Sequence, residues 1–234
     1  MLYALGDMHL SLAADKKMDV FGGAWEGYVE KLRKGFQSLT DEDTVVLCGD
    51  TSWGMNLTET IQDFMFLESL PGKKLLVKGN HDYWWETSAK MKVFFSGNGL
   101  LKLDLLHNNA YLVGKAAICG TRGWFFEEER GTDADRKVML REVGRMRISL
   151  AHGRRLTSDG ELLAFLHYPP LYEGYRCDEL VNLLEEYGVK RCFYGHLHGV
   201  SRSRAIEGEY RGIIYTLLSA DHVGFAPMPI PIEC

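Results

Sequence analysis

The sequence predicts an α/β fold, and three observations point there. Short apolar runs of strand length alternate with segments of helical spacing. Several of these runs, such as 44–48, are apolar throughout, as expected of strands covered on both faces. Most of them stop at a glycine or a polar residue, the pattern of a strand feeding a loop and then a helix.

The elements follow in order. Residues 2–5 read as the first strand, ending at Gly6-Asp7. Residues 24–39 have helical spacing through Trp25, Tyr28, Leu32, Phe36 and Leu39. The strand over 44–48 ends at Gly49-Asp50. Asn56, with Glu59 three residues on, marks a helix start; Ile61, Phe64, Met65 and Leu67 supply its apolar face, and Pro71-Gly72 stops it. A strand over 74–77 ends at Gly79-Asn80-His81-Asp82, and a helix is expected over 86–95. The middle changes character: 100–106, 110–113 and 116–119 read as short strands of an antiparallel meander. A long helix is expected over 134–151, with Met139, Val143, Met146 and Leu150 on one face. Then come a strand over 162–166 ending at His167, a helix over 178–187, and a strand over 191–194 ending at Gly195-His196-Leu197-His198. Two late strands, 203–206 and 212–218, flank a turn at Gly208, and the proline-rich tail from Ala226 reads as extended and edge-like. No repeat, low-complexity segment or Ser/Gly linker interrupts the chain, so a single domain over 1–234 is expected.

Composition narrows the function classes. The chain has 234 residues, 46% of them hydrophobic and 12% aromatic, which excludes disorder as its main state and allows a full core without disulfides. No run of about 18 apolar residues is present, so no membrane span is expected. The net charge of -5 opposes general nucleic-acid binding while leaving room for a locally positive site. The five cysteines form no C-x-x-C pair and read as small buried hydrophobes in a reducing, cytoplasmic setting. No signal-peptide pattern precedes Asp7 and His9, so the N-terminus is expected to belong to the folded protein.

The chemistry lies in where the polar residues stand. Asp7 and His9, Asp50, Asn80 and His81, His167, and His196 and His198 follow the ends of five different apolar runs. In an open α/β sheet, ligands bind outside the carboxyl ends of the strands, so these groups would meet on one rim. A Gly-Asp pair alone is a common turn, and a lone His-x-His is more often a strand face; the ordered set carries the signal. Its donors are oxygen and imidazole nitrogen with no thiolate, which suits Mn, Fe, Zn, Co or Ni.

This set resembles the calcineurin-like metallophosphoesterase superfamily, whose motifs run D-x-H, G-D, G-N-H-[DE], a lone His, and G-H-x-H. Here they stand as Asp7-Met8-His9, Gly49-Asp50, Gly79-Asn80-His81-Asp82, His167 and Gly195-His196-Leu197-His198, spanning residues 7–198. The resemblance, to bacterial-type phosphohydrolases, implies a four-layer α/β/β/α sandwich with two mixed β-sheets flanked by helices. It implies two divalent ions, one on Asp7, His9, Asp50 and His198, the other on Asp50, Asn80, His167 and His196, with Asp50 bridging. It further implies hydrolysis of a phosphomonoester or phosphodiester by a metal-bridging hydroxide, with His81 assisting the leaving group, Asp82 orienting and charging His81, and Asn80 also meeting the substrate. The implied substrate is small and phosphorylated, and nucleotide-like chemistry is one form of it.

The sequence also departs from the family. Many members continue the second motif as G-D-x-x-[DN], whereas Trp53 follows Thr51-Ser52 here. The protein Ser/Thr phosphatase branch resembles G-D-x-V-D-R-G with G-N-H-E, and this chain has neither that Arg nor that Glu. Trp53, Tyr83, Trp84, Trp85 and 124–126 place aromatics beside the site, as core and pocket walls or as stacking surfaces. Arg122 and Arg176 are candidate phosphate clamps. The run 127–130 reads as a solvated loop, His107 and His152 as solvated loop or helix residues, and His222 as a residue no motif requires. Two alternatives stay open. One is a nuclease, which would use the basic helix bearing Arg141, Arg145, Arg147, Arg154 and Arg155; the other is a non-catalytic metal-binding scaffold.

Overall fold

The computed structural model describes residues 1–233 apart from 15, 17 and 127–130, with the backbone alone at 19 and 21. The expected run 127–130 therefore lies outside the described residues, as does Cys234. Along the chain come β1 (Leu2–Leu5), α1 (Tyr28–Gly35), β2 (Thr44–Leu47), α2 (Ile61–Ser69), β3 (Lys73–Leu76), α3 (Ser88–Gly97) and β4 (Leu103–Leu105). Next are β5 (Ala110–Val113), β6 (Ala116–Thr121), α4 (Asp133–Leu156), β7 (Leu162–Leu166), β8 (Leu171–Tyr172), β9 (Tyr175–Arg176) and α5 (Asp178–Glu186). The chain closes with β10 (Arg191–Tyr194), β11 (Gly208–Tyr210), β12 (Ile213–Leu217) and β13 (Met228–Ile230).

Two mixed sheets face each other, in the orders β13-β1-β2-β3-β4 and β11-β12-β10-β7-β6-β5. Strand alternation explains why there are three apolar layers. Leu2, Ala4, Val46, Cys48, Leu75 and Val77 point inward and meet Ile118, Leu163, Phe165 and Phe193 from the other sheet. Leu5, Val45, Leu47 and Leu76 point outward, into a core shared with Leu32 and Phe36 of α1, Phe64 and Leu67 of α2, and Met91 and Phe95 of α3. On the far side, Ala164, Leu166 and Cys192 meet Met139, Met146 and Leu150 of α4 and Leu180, Val181 and Leu184 of α5. The result is the four-layer α/β/β/α sandwich.

Several expectations are corrected. The meander is not formed: β4 runs parallel to β3 in the first sheet, whereas β5 and β6 pair antiparallel in the second. The chain crosses between sheets at 107–109, where Asn109 ties the bend by accepting from His107 N at 2.6 Å and donating to Leu105 O at 3.0 Å. Short apolar strands look alike locally, so nothing in the sequence separates a hairpin partner from a strand that changes layer. The strand expected at 203–206 is a 3-10 turn over Gly199–Arg204, and Gly208 opens β11. The hairpin turn falls instead at Arg211-Gly212, both at positive φ. The first helix is shorter than its spacing suggested, because Gly27 at φ 63 separates a 3-10 turn from α1. The edge-like tail is β13, antiparallel to β1.

Candidate metal centre

The loops leaving β1, β2, β3, β7 and β10 open on one end of the sandwich and interlock there. Asp7 N donates to Gly49 O at 3.0 Å, His9 N to Asp50 O at 2.9 Å, and Gly195 N to His167 O at 3.1 Å. Asp7, His9, Asp50 and His196 all lie in the left-handed region, at φ 53, 47, 50 and 71. That conformation costs a non-glycine residue about 1–3 kcal/mol, and it recurs where surrounding structure imposes an orientation for function. The flanking glycines are steric requirements. A Cβ on Gly79 would stand 2.1 Å from Asp50 N, and one on Gly195 would stand 2.6 Å from Asp7 Oδ2.

Seven side chains expected as ligands converge. His167 Nε2 and His196 Nδ1 lie 2.7 and 2.9 Å from Asn80 Oδ1 and 3.3 Å from each other. His167 Nδ1 sits 3.0 Å from Cys48 O, an acceptor only, so Nδ1 carries the proton and Nε2 turns a lone pair toward Asn80 and Asp50 Oδ2, the latter at 3.6 Å. On the other side, Asp7, His9 and His198 bring potential ligand atoms within 4.8 Å of one another, as do Asp7, Asp50 and His167. His9 Nε2 and Asp50 Oδ2, 3.8 Å apart, are buried without hydrogen-bond partners. Lone pairs facing lone pairs, with orphaned buried nitrogen and oxygen beside them, fit divalent cations and are costly without them. These Asp and His groups could hold metal, with Asp50 placed between the two halves.

The electrostatics agree. Burial and the neighbouring Asp50 charge push the Asp7 carboxyl well above the usual range. Burial raises Asp50 to about 6. Burial and the surrounding imidazoles hold His9 well below its ordinary value and His196 down at about 2. Burial also lowers His167 to about 3, against the opposing pull of the Cys48 carbonyl. The pocket therefore holds carboxyls whose ionised form a cation would stabilise, and neutral imidazoles already free to ligate.

Asp82 departs from its expected task. Its carboxylate accepts from Gly79 N at 2.6 Å, Thr51 N at 2.8 Å, Asp50 N at 3.0 Å and Trp84 Nε1 at 3.1 Å. It is a buried pin joining the Asp50 and Asn80 loops and makes no ion pair with His81. The His81 ring instead meets Tyr83 Oη at 3.3 Å and Trp53 at 4.5 Å between centroids. Burial lowers the His81 pKa and outweighs the raising pull of a different carboxylate, that of Asp50. His81 N holds Asp50 Oδ1 at 2.8 Å. Trp53, the residue that breaks the family pattern, stacks on His9 at 5.0 Å and forms a wall of the site.

The two arginines part. Arg122 follows β6, and its carbonyl accepts from both His167 N and Tyr168 N, at 3.1 and 2.8 Å. Its guanidinium lies over Trp124 at 4.5 Å. Arg176 is not brought to the cluster: it is bound to Asp178 at 2.5 Å and to Tyr210 Oη at 2.6 Å. Trp124, Phe125, Tyr168 and Tyr172 line a cleft of about 280 Å³, with Phe125 and Tyr168 5.2 and 4.4 Å from the His196 ring. Trp84 belongs to the core against Phe64. Among the remaining histidines, His152 Nδ1 accepts from Ala110 N at 3.0 Å, a structural role rather than a solvated one. His107 packs against Trp85, and His222 pairs with Glu207 at 3.3 Å.

Three supporting residues escaped sequence reasoning. Ser219 Oγ donates to Asp7 Oδ2 at 2.8 Å. The buried side chain of Asp221 accepts from Gly199 N at 2.7 Å, pairs with Arg202, and pulls the His198 pKa upward against the larger, lowering effect of burial. Both follow the end of β12, so the strand-end pattern that pointed to the candidate ligands extended one strand further. Asp63 accepts from Ser52 Oγ at 2.5 Å and Leu12 N at 2.8 Å, tying the loop after Asp50 to the loop after His9. Its only signal was a carboxylate on the apolar stripe of α2.

Comparison with known proteins follows the same lines. Residues 2–200 match the family model for calcineurin-like phosphoesterases. No curated protein sequence matches the chain. Among solved structures, the chain is similar to a phosphopantetheinyl hydrolase from Mycobacterium tuberculosis at 15% identity and TM-score 0.57, over 93% of this chain and 88% of that one. It is also similar to a protein of unknown function from Aquifex aeolicus at 17% identity and TM-score 0.49, over 97% and 94%.

Proposed function

The chain belongs to the calcineurin-like phosphoesterase family, and on that premise we propose that it hydrolyses small phosphoesters at a dinuclear metal centre held by Asp7, His9, Asp50, Asn80, His167, His196 and His198. The observation that carries this is the convergence of those side chains around His9 Nε2 and Asp50 Oδ2, which are buried and unpartnered. When bound, two divalent ions supply Lewis-acid charge and activate water for attack at phosphorus near neutral pH.

The chain's own residues do the rest. Asp7 and Asp50 are the carboxylates among the proposed ligands, so the loaded site stays positive toward a phosphate. Asn80 contributes an amide oxygen without further negative charge. His81 stands half-buried at the rim, and Tyr83 Oη engages Nδ1, leaving Nε2 to donate to the departing oxygen. Low pKa values at His9, His167 and His196 keep those rings neutral, so the proton for the leaving group is assigned to His81 at the rim. Asp82, Asp63 and Ser219 lock the loops, so that ligands on separate strands share one geometry. Arg122 flanks the Asn80–His167 side as an anion contact.

The phosphopantetheinyl hydrolase with this fold supports a small phosphorylated substrate. The nuclease alternative loses support, since Arg145 and Arg147 are paired with Glu142 and Glu186. Among the described residues no helix is long and apolar enough to cross a membrane. The four described cysteines are free and buried, which supports a reducing compartment such as the cytoplasm. The direct test is turnover of p-nitrophenyl phosphate and its bis ester with Mn, Fe, Zn, Co or Ni added after chelation. Activity restored by metal is the expected result; metal-loaded protein inert on both esters and on a nucleotide panel would refute the assignment.

A further inference from the structure

Beside the cluster of candidate ligands, at the ends of β3 and β6, two arginines share one buried carboxylate, and a lysine stands near them without pairing to it. Glu142 on α4 is 1% exposed and accepts from Thr121 Oγ1 and Arg145 Nη1, each at 2.5 Å, and from Arg122 Nη2 at 3.4 Å. Lys78 stands two residues before Asn80, half-buried, and makes no hydrogen bond or ion pair among the described residues. The Arg122 and Arg145 charges both bear on its ammonium, and Asp82 and Glu142 are the opposing carboxylates. Asp82 is already occupied by backbone N–H groups, and Glu142 by its own two arginines. Arg122 Nε is buried without a partner. His107 adjoins the same group, and the same cations lower its pKa further after burial has done so.

Half-buried like charges repel, and an unpaired guanidinium nitrogen is expensive to bury. An anion from outside would complete both balances, and a phosphoryl group suits the planar fork of an arginine. The position matters as much as the charge. Lys78 precedes Asn80 on one strand end, and Arg122 is fixed by its carbonyl to His167 and Tyr168, so this ledge borders the Asn80–His167 half of the centre.

We propose that Lys78, Arg122 and Arg145 form a subsite for a second phosphoryl group, and that the preferred substrates carry two phosphoryl groups close together, as diphosphates or bisphosphates do. The assignment rests on the phosphohydrolase reading for the identity of the scissile group. Hydrolysis then adds one water across the P–O bond, the leaving oxygen takes a proton, and the second phosphoryl group stays on the ledge as an anchor.

The test uses two non-hydrolysable probes on the Mn-loaded full chain: methylenebisphosphonate, and methylphosphonate as the single-anion control. By calorimetric titration the wild type should prefer the bisphosphonate by about tenfold or more, the gain expected of added charge-assisted hydrogen bonds. Lys78→Met should cut that ratio about fivefold, the loss expected when a charge-assisted contact is removed, and Lys78→Arg, which retains the charge, should keep it. Arg145→Gln, at the solvent side of the ledge, gives a second reading if Lys78→Met folds poorly. Equal affinity of the wild type for the two probes, or a ratio unmoved in Lys78→Met and Arg145→Gln, would overturn the subsite. Turnover of p-nitrophenyl phosphate by the wild type is measured alongside. Turnover without the preference removes the subsite and leaves the hydrolase; the preference without turnover does the reverse.

Discussion

His81 and Asp82 adjoin in sequence and do different work. His81 is half-buried at the rim, with its ring toward Trp53 and Tyr83, while Asp82 is buried and bound to backbone N–H groups of two loops. His81→Ala is expected to lower kcat by about 10²–10⁴ with bound metal unchanged, read by kinetics beside elemental analysis. A variant that loses metal with the rate would refute the leaving-group role. Asp82→Ala is expected to fail differently: each stranded buried donor costs about 1–3 kcal/mol, so thermal stability and metal content should fall together. The titrating groups oppose one another. His167 and His196 are lowered to about 3 and about 2, so their contribution to stability is present above the ordinary imidazole value, about 6.5, and is lost as pH falls toward those values. Asp50 and Asp82 are raised to about 6 and about 7, so theirs is present below about pH 4 and is lost as pH rises through 6 to 7. Cations relieve the second penalty. The rise in Tm on adding Mn should therefore be larger near pH 8 than near pH 5.5, and a smaller rise at pH 8 would contradict the assignment of Asp50 as a ligand.

At the scale of elements, strands and their exits were the legible part. β1, β2, β3, β7 and β10 fall where apolar runs predicted them, because a run buried on both faces has little else it can be. The glycine exits were legible for a steric reason: a Cβ on Gly79 would strike Asp50, so Gly79→Ala should displace the Asp50 loop and abolish metal binding, as elemental analysis would show. The partner sheet of β4 was not legible, since its alternation suits either layer. α4 starts at a capping box, in which Thr132 Oγ1 accepts from Asp135 N and Asp135 Oδ2 accepts from Thr132 N. Asp135 also receives Trp124 Nε1 at 3.3 Å, which couples the helix start to the aromatic cleft. Thr132→Ala should cost about 1 kcal/mol and lower Tm by about 2–4 °C in a scan of the loaded protein.

At the scale of the molecule, the proposed metal centre joins the two sheets. Asp7, Asp50 and Asn80 come from the first, and His167, His196 and His198 from the second. The seam is continued by Gly6 N to Leu218 O at 2.7 Å and Ala220 N to Gly6 O at 2.9 Å. We infer that residues 1–234 fold as one domain, so calorimetry should show a single transition that moves upward with Mn and returns with chelator. Two transitions, with only one responding to metal, would divide the sandwich into separate units.

What the sequence by itself determined is the chemistry on offer: which oxygen and nitrogen donors stand at which strand ends, and, through the strand-end rule, that they share a rim. That was possible because a ligand type placed just after a buried strand is a local pattern, readable within a few residues. Only the tertiary structure decided what holds those donors and what surrounds them. Asp82 pins backbone 31 and 32 residues away, Ser219 braces Asp7 across 212 residues, and Glu142 gathers Arg122 from another element. Side-chain direction in such contacts is set by packing between layers, and no spacing along the chain encodes it.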